Sequence, residues 1–375
     1  MRSLKDALRR HMEIPGPPVN FTNLQQRFQS APANSFDALL IKMGPFKAQR
    51  DAFLFKNGQG GGWAISDSDA PAVRERLSHF VDEVVTFGNS QVLDALNKLQ
   101  VNINFTGIGP DINVGLPDFM ITEVANGVAK QYRDIVTSAI ADNIPFRFGR
   151  CGGMAFAGLD FYFAGWPVDE RFGTSPPDGG PLRDYIWNRL LDSLDQNGGR
   201  FLSWTAELIY LPALSRLATA ALGSAAGAAA GPIGIAVGAL IGGNADIFNL
   251  GGATPVLHNT QDEWPKLKAD LDMEAARPIG LIYGNSRAPW DQHQVLAIGY
   301  SDPGGVLPML IVWDNNDGAD FRTYTIDFSG SELQVTQFNS NGVPTASDEP
   351  IKGIFMEDYT FVQPPANLKL PVILS

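Results

Sequence analysis

The residues of this chain that favour nucleophilic chemistry centre on a single cysteine. Cys151 is the only cysteine in 375 residues, and it opens a run of small and apolar residues that extends to Gly165. Because such residues cover every side of the run, we expect a helix that is buried nearly all round. Arg147 and Arg150 precede it. In the first turn of a helix, free backbone N–H groups, the helix dipole and nearby arginines favour a thiolate, so the segment predicts a nucleophile.

A histidine and an acid that could serve this cysteine lie far downstream. Two strand-like segments of eight residues each begin at His293 and at Leu307, and a glycine-containing turn separates them. Symmetrical pairing across this turn places Tyr300 opposite Leu307 and His293 opposite Asp314. Directly opposed residues share one face of a sheet, with Cβ atoms about 5 Å apart, so the pairing predicts a carboxylate beside an imidazole. Four apolar residues would back this pair: Val295, Ala297, Leu310 and Val312.

These three side chains have the composition of a catalytic triad. An acid beside the ring orients the imidazole and favours its protonated form, while the other ring nitrogen can face a thiolate. Cys151 is then the nucleophile, His293 the base and Asp314 the orienting acid. Asn315 is the alternative at the acid position. Plain structural interpretations also remain, since a buried cysteine can simply pack and the acidic segment can be only a turn.

Composition and charge exclude several other classes of function. The net charge of −12 and the pI of about 4.8 argue against nucleic acid as a partner, because phosphate binding needs clustered lysine and arginine. The same charge disfavours docking on anionic lipid. The four histidines are scattered without zinc-binding spacing, so we predict no metal and no cofactor. Among them, His258 is a fallback base without a predicted acid opposite it.

The sequence gives little information about where the protein is located. The first twelve residues form a charged amphipathic stretch without an apolar core, so we expect no secretion signal and take a cytoplasmic location as the default. One cysteine cannot form an internal disulfide, which leaves the compartment open on redox grounds. The oligomeric state is not predicted by any pattern in the sequence.

The composition changes near residue 140. The first 60 residues are rich in Pro, Asn, Gln and Gly, and helical spacing follows from Pro71 and from Glu123. We therefore predict an N-terminal extension, 1–140, that is loop-rich and then helical. The remaining region, 141–375, carries the candidate triad. The sequence leaves open whether the extension is a propeptide, a binding domain or a part that completes the fold.

The C-terminal third predicts strands rather than helices. The strand-like segments are 277–283, 293–300, 307–313, 322–327 and 353–361. Few helical patterns interrupt them. Helices first and an antiparallel sheet second is typical of an α+β fold.

An uncharged segment interrupts the second region. Residues 217–245 carry no charge, and six glycines recur at four-residue intervals on either side of Pro232. Such ridges of small residues let backbones approach closely, and the proline breaks a helix. We predict an inserted helical hairpin that packs within the protein. Its uncharged length could also span a bilayer, so membrane contact and a flexible linker remain alternatives.

Taken together, the motifs resemble the papain-like cysteine peptidases, especially their branch that cleaves bacteriocin leaders of the double-glycine type. The likeness is carried by Cys151 opening a small-residue helix, by 293–300 as the histidine strand and by 312–315 as the acid strand. It covers about residues 143 to 361, apart from the glycine-rich insertion.

The resemblance implies a two-lobe fold and a mechanism. A helical lobe would carry Cys151, a sheet lobe would carry the other two residues, and a peptide or protein would be the substrate. This family usually has an oxyanion-hole glutamine six residues before the cysteine, where this chain has Pro145. Asn143 could substitute, with the backbone N–H of Cys151 as the second donor. Losing one such donor typically costs about a hundredfold or more in rate.

Three functions follow as hypotheses. The first is a cysteine-dependent hydrolase or acyltransferase that acts on a peptide or amide bond. The second is a catalytically silent papain-like binding module, which the missing glutamine favours. The third is a membrane-active protein that uses the uncharged hairpin.

Overall fold

The structure of the chain is a computed structural model that describes residues 41–58, 63, 65–98, 100–103, 112–115, 118–141, 149–168, 172–210, 255–273, 276–284, 291–302, 307–345 and 349–369. The predicted hairpin at 217–245 lies outside these ranges, as do Asn143, Pro145 and Arg147. Among the helices inside them, none combines the length and the apolar character that crossing a membrane requires.

The described residues form a mixed helix and sheet architecture. The helices are α1 (Ala48–Asp51), α2 (Ala70–Ser78), α3 (Val81–Lys98), α4 (Asp118–Ala141), α5 (Cys151–Ala164), α6 (Pro181–Thr205) and α7 (Pro255–Asp272), with a π-helical turn at Ala206–Tyr210 and a 3₁₀ turn at Ala366–Leu368. The strands are β1 (Ile41–Met43), β2 (Gln100–Ile103), β3 (Ile112–Gly115), β4 (Arg277–Tyr283), β5 (His293–Ser301), β6 (Met309–Trp313), β7 (Arg322–Asp327), β8 (Gln334–Phe338) and β9 (Ile351–Met356).

The main sheet is antiparallel and contains seven strands. Its order is β8-β7-β6-β5-β4-β9, and β1 adds to it by pairing with β5. Strands β2 and β3 form a separate antiparallel pair. The predicted α+β class is therefore confirmed.

Strand β5 lies at the centre of the sheet, and all nine of its residues are buried. Leu296 and Ile298 pack into a core shared with α5, while Val295 and Ala297 pack into a second core shared with α7. A strand that is covered on both faces has a nearly continuous run of apolar residues, and this explains the sequence of β5. The sheet is thus enclosed between helices, and β5 holds one candidate site residue at its first position.

Helix α5 is buried on every side, as its composition predicts. All residues from Cys151 to Tyr162 are buried, and the helix packs against α6 and β5. Its glycines allow this packing, because a Cβ added at Gly153 would lie 2.0 Å from the carbonyl oxygen of Ile186 in α6. Gly165 ends the helix in the left-handed conformation that glycine adopts without strain.

The described part of the N-terminal region between 41 and 63 packs into this same core. Phe46, Phe53, Phe55 and Trp63 are fully buried in the cluster that contains the apolar residues of α5. Strand β1 extends the sheet by pairing with the end of β5. Of the three roles left open by the sequence, these contacts favour completion of the fold.

Strand boundaries were predicted with mixed success. The bounds of β4 and β7 agree with the predicted segments. Strand β6 begins at Met309 rather than at Leu307, and β9 spans Ile351–Met356 rather than 353–361. Strand β8 was not predicted, because its pattern of half-exposed residues carries little apolar alternation.

The predicted register of the β5–β6 hairpin is wrong. Ala297 pairs with Val312 and Tyr300 pairs with Leu310, with a bulge between residues 297 and 299. Pro308 has no N–H to donate and stays outside the strand, so pairing starts two residues later than predicted. Because side chains alternate with a period of two, a shift of two residues at Ala297 keeps the same residues on the same face. Asp314 therefore remains on the face of His293.

Candidate active site

The candidate nucleophile lies where a helix begins. Cys151 is the first residue of α5, carries a free thiol and is 4% exposed. As the first helical residue, its backbone N–H has no acceptor within the helix. Its carbonyl oxygen accepts a hydrogen bond from Asn315 Nδ2 at 3.0 Å. The thiol is therefore held at a fixed point at the end of a rigid, buried helix.

The structure brings the predicted histidine and acid together. His293 Nε2 lies 2.8 Å from Asp314 Oδ1, and both side chains are buried. The Cys151 thiol lies close enough to the ring to raise the pKa of His293 through hydrogen bonding and its charge. Since Nε2 is used by the acid, Nδ1 is the ring nitrogen available to the thiol. The three side chains thus form a continuous chain of contacts from thiol to ring to carboxylate.

The electrostatic surroundings favour a charged imidazole. Burial lowers the pKa of His293, but the negative charge of Asp314 and the hydrogen bond to it outweigh burial, as does the contact with Cys151. The net result raises the pKa of His293 from 6.5 to about 10. A protonated ring at neutral pH is the partner that a thiolate requires.

Asp314 is held in its ionised form. Burial raises the pKa of its carboxyl, but His293 and Arg322 outweigh this and bring the pKa to about 2. Arg322 Nε lies 3.4 Å from Asp314 Oδ2, and the backbone N–H of Asn316 donates to Oδ1 at 2.9 Å. The carboxylate is therefore charged, fixed in orientation and paired on both oxygens.

Asn315 does not occupy the acid position. Its side-chain amide donates to the carbonyl oxygens of Cys151 and Gln294, at 3.0 and 2.9 Å. It has no contact with the ring of His293 among its hydrogen bonds in the described structure. Its place in the site is to tie the start of α5 to β5, while Asp314 alone carries the charge.

Arg150 was expected to favour the thiolate of Cys151, but its charge is paired elsewhere. Its guanidinium is buried, stacks on Trp187 and Trp63, and donates to Asp69 at 3.1 Å. Burial lowers the pKa of Arg150, and a neighbouring Arg183 acts in the same direction. Because its charge is paired with Asp69, Arg150 contributes less positive potential at the thiol than an unpaired arginine would.

Three polar residues of the site were missed by the sequence reasoning. Arg322 opens β7 and contacts Asp314, and Asn316 Nδ2 lies 3.2 Å from His293 Nε2. Asn57 donates from Nδ2 to Asn316 Oδ1 at 3.1 Å. The turn after β6, from Asp314 onward, was noted in the sequence but read as an alternative to a site. The structure contains this turn, because the backbone N–H of Asp317 donates to the carbonyl oxygen of Asp314. The same segment also provides the contact between Asp314 and His293.

The remaining histidines and acids give no competing centre within the described ranges. His79 caps the end of α2, and His258 lies at an exposed position of α7. Among described residues, no group of three or more His, Cys, Asp or Glu side chains could hold a metal ion. The proposed oxyanion residue Asn143 lies outside the described residues, so its place is a prediction only.

The likeness to papain-like peptidases rests on the motifs around Cys151, His293 and Asp314. Comparison with known proteins adds no relative to this picture. No family model, no curated protein and no solved structure matches the chain.

Proposed function

We propose that this chain is a cysteine-dependent hydrolase or acyltransferase that acts on a peptide or amide bond. The observation that carries the proposal is His293, whose ring contacts the Asp314 carboxylate at 2.8 Å and the Cys151 thiol at the start of a buried helix. A packing cysteine needs neither partner, and a turn acid needs no buried imidazole. Their combination is the arrangement that activates a thiol.

The reaction follows from the charges of the three groups. His293 takes the proton of Cys151, and the thiolate attacks the carbonyl carbon of the substrate. The imidazolium then gives its proton to the leaving amine, which leaves an acyl thioester on Cys151. Water or another amine, deprotonated by the neutral ring, attacks the thioester and restores the thiol. Asp314 keeps the ring oriented and stabilises its charged form in both steps.

The oxyanion of the tetrahedral intermediate needs hydrogen-bond donors. The free backbone N–H of Cys151 supplies one in this proposal. Asn143 is the proposed second donor, in the place where the resembled family has a glutamine. The substrate is proposed to be a peptide or protein chain.

We also propose that the fold is the papain-like arrangement of two lobes. Support comes from α5 carrying the cysteine at its first residue, packed against an antiparallel sheet whose central strand begins with the histidine. The acid follows directly after the neighbouring strand β6. A catalytically silent binding module of the same fold is the second candidate, favoured by Pro145 in place of the usual glutamine.

A small activated ester tests the proposal without knowledge of the natural substrate. With p-nitrophenyl acetate near pH 7, we expect an acetyl group on Cys151 by intact-mass spectrometry and release of more than one equivalent of nitrophenol. Cys151→Ala should abolish both, and His293→Ala should slow acylation by about 10²–10⁴-fold. His258→Ala, at an exposed position of α7, is the matched control and should react as wild type.

Two results would decide against the enzyme. Equal acylation rates in wild type and His293→Ala would show that the ring does not activate the thiol. Acylation that does not turn over even with an added amine acceptor would favour the binding module. A peptide pool analysed by mass spectrometry, with Cys151→Ala as the blank, then identifies the bond that is cleaved.

A further inference from the structure

Asn57 makes an unusual number of contacts for a residue so far from the candidate triad in the sequence. Its Oδ1 accepts hydrogen bonds from the backbone N–H of Arg150 at 2.7 Å and from Trp63 Nε1 at 3.1 Å. Its Nδ2 donates to Asn316 Oδ1 at 3.1 Å, and its backbone N–H donates to the carbonyl oxygen of Asn315 at 2.8 Å. One asparagine thus uses both ends of its side-chain amide and its own backbone.

The segments joined by Asn57 carry the nucleophile and the acid of the candidate triad. Arg150 directly precedes Cys151, and its N–H is fixed by the Asn57 side chain. Asn316 lies two residues after Asp314 and donates its own N–H to the Asp314 carboxylate. A shift at Asn57 would therefore be transmitted to the thiol and to the acid at once.

Local sequence is adapted to this close approach. A Cβ added at Gly149 would lie 2.1 Å from Asn57 Oδ1, and a Cβ added at Gly318 would lie 2.5 Å from the carbonyl oxygen of Leu54. Glycine thus occurs where the segment around Asn57 meets the loop before α5 and again where it meets the turn after β6. Both approaches would be blocked by any side chain.

The segment that carries Asn57 is itself firmly held. Phe53 and Phe55 stack with ring centroids 5.0 Å apart, and Phe55 packs edge-on against Trp63. All three rings are fully buried in the core shared with α5. Asn57 is thus fixed by the hydrophobic core as well as by its hydrogen bonds.

We propose that Asn57 is a positioning residue that sets the distance between the Cys151 thiol and the His293–Asp314 pair. This inference rests on the proposed function. It has a further consequence, since residues 41–58 and Trp63 then belong permanently to the working site and are not a propeptide that is removed. Small displacements of reacting groups cost large factors in rate, so a residue that fixes both sides of the site has a measurable effect.

The rate of Cys151 alkylation by iodoacetamide, measured from pH 5 to 9 on the full chain, tests this proposal. In Asn57→Ala, which loses all three side-chain hydrogen bonds, we expect the alkylation rate at pH 6 to fall about tenfold or more toward that of a free thiol. The pH profile should shift upward with it. Asn57→Asp keeps the two acceptor contacts and loses only the bond to Asn316, so a smaller shift is expected.

The control is another asparagine with comparable local bonds. Asn339 Oδ1 accepts from the backbone N–H groups of Asn341 and Val343, both at 3.0 Å, in an exposed turn after β8. Asn339→Ala should lower thermal stability slightly and leave the alkylation profile unchanged. If the role of Asn57 is purely structural, Asn57→Ala should likewise lower stability and leave the alkylation profile unchanged. Lower stability alone does not move the pH at which the thiol ionises.

His293→Ala separates the failure of this inference from the failure of the proposed function. If that variant keeps the wild-type alkylation profile, the thiol is not paired with the ring, and both proposals fall. If it shifts the profile while both Asn57 variants behave like Asn339→Ala, only the positioning role is overturned. Should Asn57→Ala fail to fold, Asn57→Ser, whose side chain is too short to keep the bond to Asn316, takes its place and is expected to shift the profile in the same direction.

Discussion

Two of the carboxylates that are buried in the described part of the protein have surroundings with opposite effects on their pKa. Asp160, in the middle of α5, is fully buried, and burial raises its pKa to about 6 against the pull of Arg189. Asp314 is buried to nearly the same extent, yet its pKa falls to about 2. Burial acts upward on both, so the difference comes from the charges around them.

The neighbours explain this difference. Asp160 faces one cation, Arg189, which also pairs with Asp192, and its other partners are neutral donors. Those neutral donors are two tyrosine hydroxyls and one backbone N–H, namely Tyr185, Tyr359 and Val362. Asp314 instead faces His293, which can carry a charge of its own, and Arg322.

The comparison separates a structural acid from a candidate functional one. The partners of Asp160 tie α5 to α6 and to the C-terminal segment, and none of them can react with a substrate. The main partner of Asp314 is the ring of His293, whose pKa the Cys151 thiol also affects. A buried acid therefore indicates a site only when the residue it stabilises has chemistry left to do.

Breaking the structural acid should have the largest effect on stability. Asp160→Ala removes the buried partner of the Arg189 guanidinium, which then keeps only the more exposed Asp192, and breaking a buried ion pair typically costs about 3–5 kcal/mol. Chemical denaturation should show this loss of stability. Amide hydrogen exchange should show weaker protection of the C-terminal segment near Val362. Asp327→Ala, at a half-exposed acid at the end of β7, is the control and should change stability little. A loss below about 1 kcal/mol in Asp160→Ala would contradict the comparison.

Breaking the second acid should mainly affect activity. Asp314→Asn removes the negative charge that is the largest cause of the raised pKa of His293. The pKa of the ring should therefore fall from about 10 toward or below 6.5. Titration of the ring nitrogens by NMR measures this, with His293→Ala to assign the signals. Acylation of Cys151 should slow by about 10²–10⁴-fold, whereas stability should fall less than in Asp160→Ala. An unchanged midpoint would show that Asp314 does not control the ring.

The pH dependence of stability follows with a defined sign. The raised pKa of His293 contributes stability that is present below 6.5 and lost as pH rises toward about 10. The lowered pKa of Asp314 contributes stability that is present above 3.8 and lost as pH falls toward about 2. The stability difference between wild type and Asp314→Asn should therefore be largest between these values and shrink on either side.

The sequence predicts some of this molecule well because local patterns decide it. The bounds of β4 and β7 follow from short apolar runs, and the burial of α5 follows from its lack of any polar face. The meeting of His293 with Asp314 was predicted from two strands of similar length. It survives a wrong register only because the shift at Ala297 is an even number of residues.

Other features could not be predicted because they depend on distant segments. Asn57 lies 93 residues from Arg150 and 259 residues from Asn316 in the sequence, and no local pattern relates them. The bulge between residues 297 and 299 likewise has no signal in an apolar run that fits a regular strand. Arg150 illustrates the same point, since its contacts with Asp69 and Trp63 depend on the folded N-terminal region.

The start and the middle of α5 should also differ in how well they tolerate an added methyl group, and this difference gives the smallest expected effect. At Gly153, near the thiol, an added Cβ would lie 2.0 Å from the backbone of Ile186, so α5 and α6 must separate. At Gly158, near Asp160, it would lie 3.2 Å from the Trp313 side chain, so a displacement of a few tenths of an ångström is enough to fit it. Gly153→Ala should cost about 1–3 kcal/mol and slow Cys151 alkylation, because the helix start moves away from His293.

Gly158→Ala is the matched substitution in the same helix. There the gain of about 1 kcal/mol in helix propensity offsets the tighter contact, so stability and alkylation should stay close to wild type. Thermal denaturation and iodoacetamide kinetics measure both quantities on the same samples. If Gly153→Ala lowered stability but left alkylation unchanged, the start of α5 would not need its exact packing against α6 to hold the thiol near the ring. The two glycine positions would then differ only in how tightly their neighbours pack, and not in their effect on the thiol.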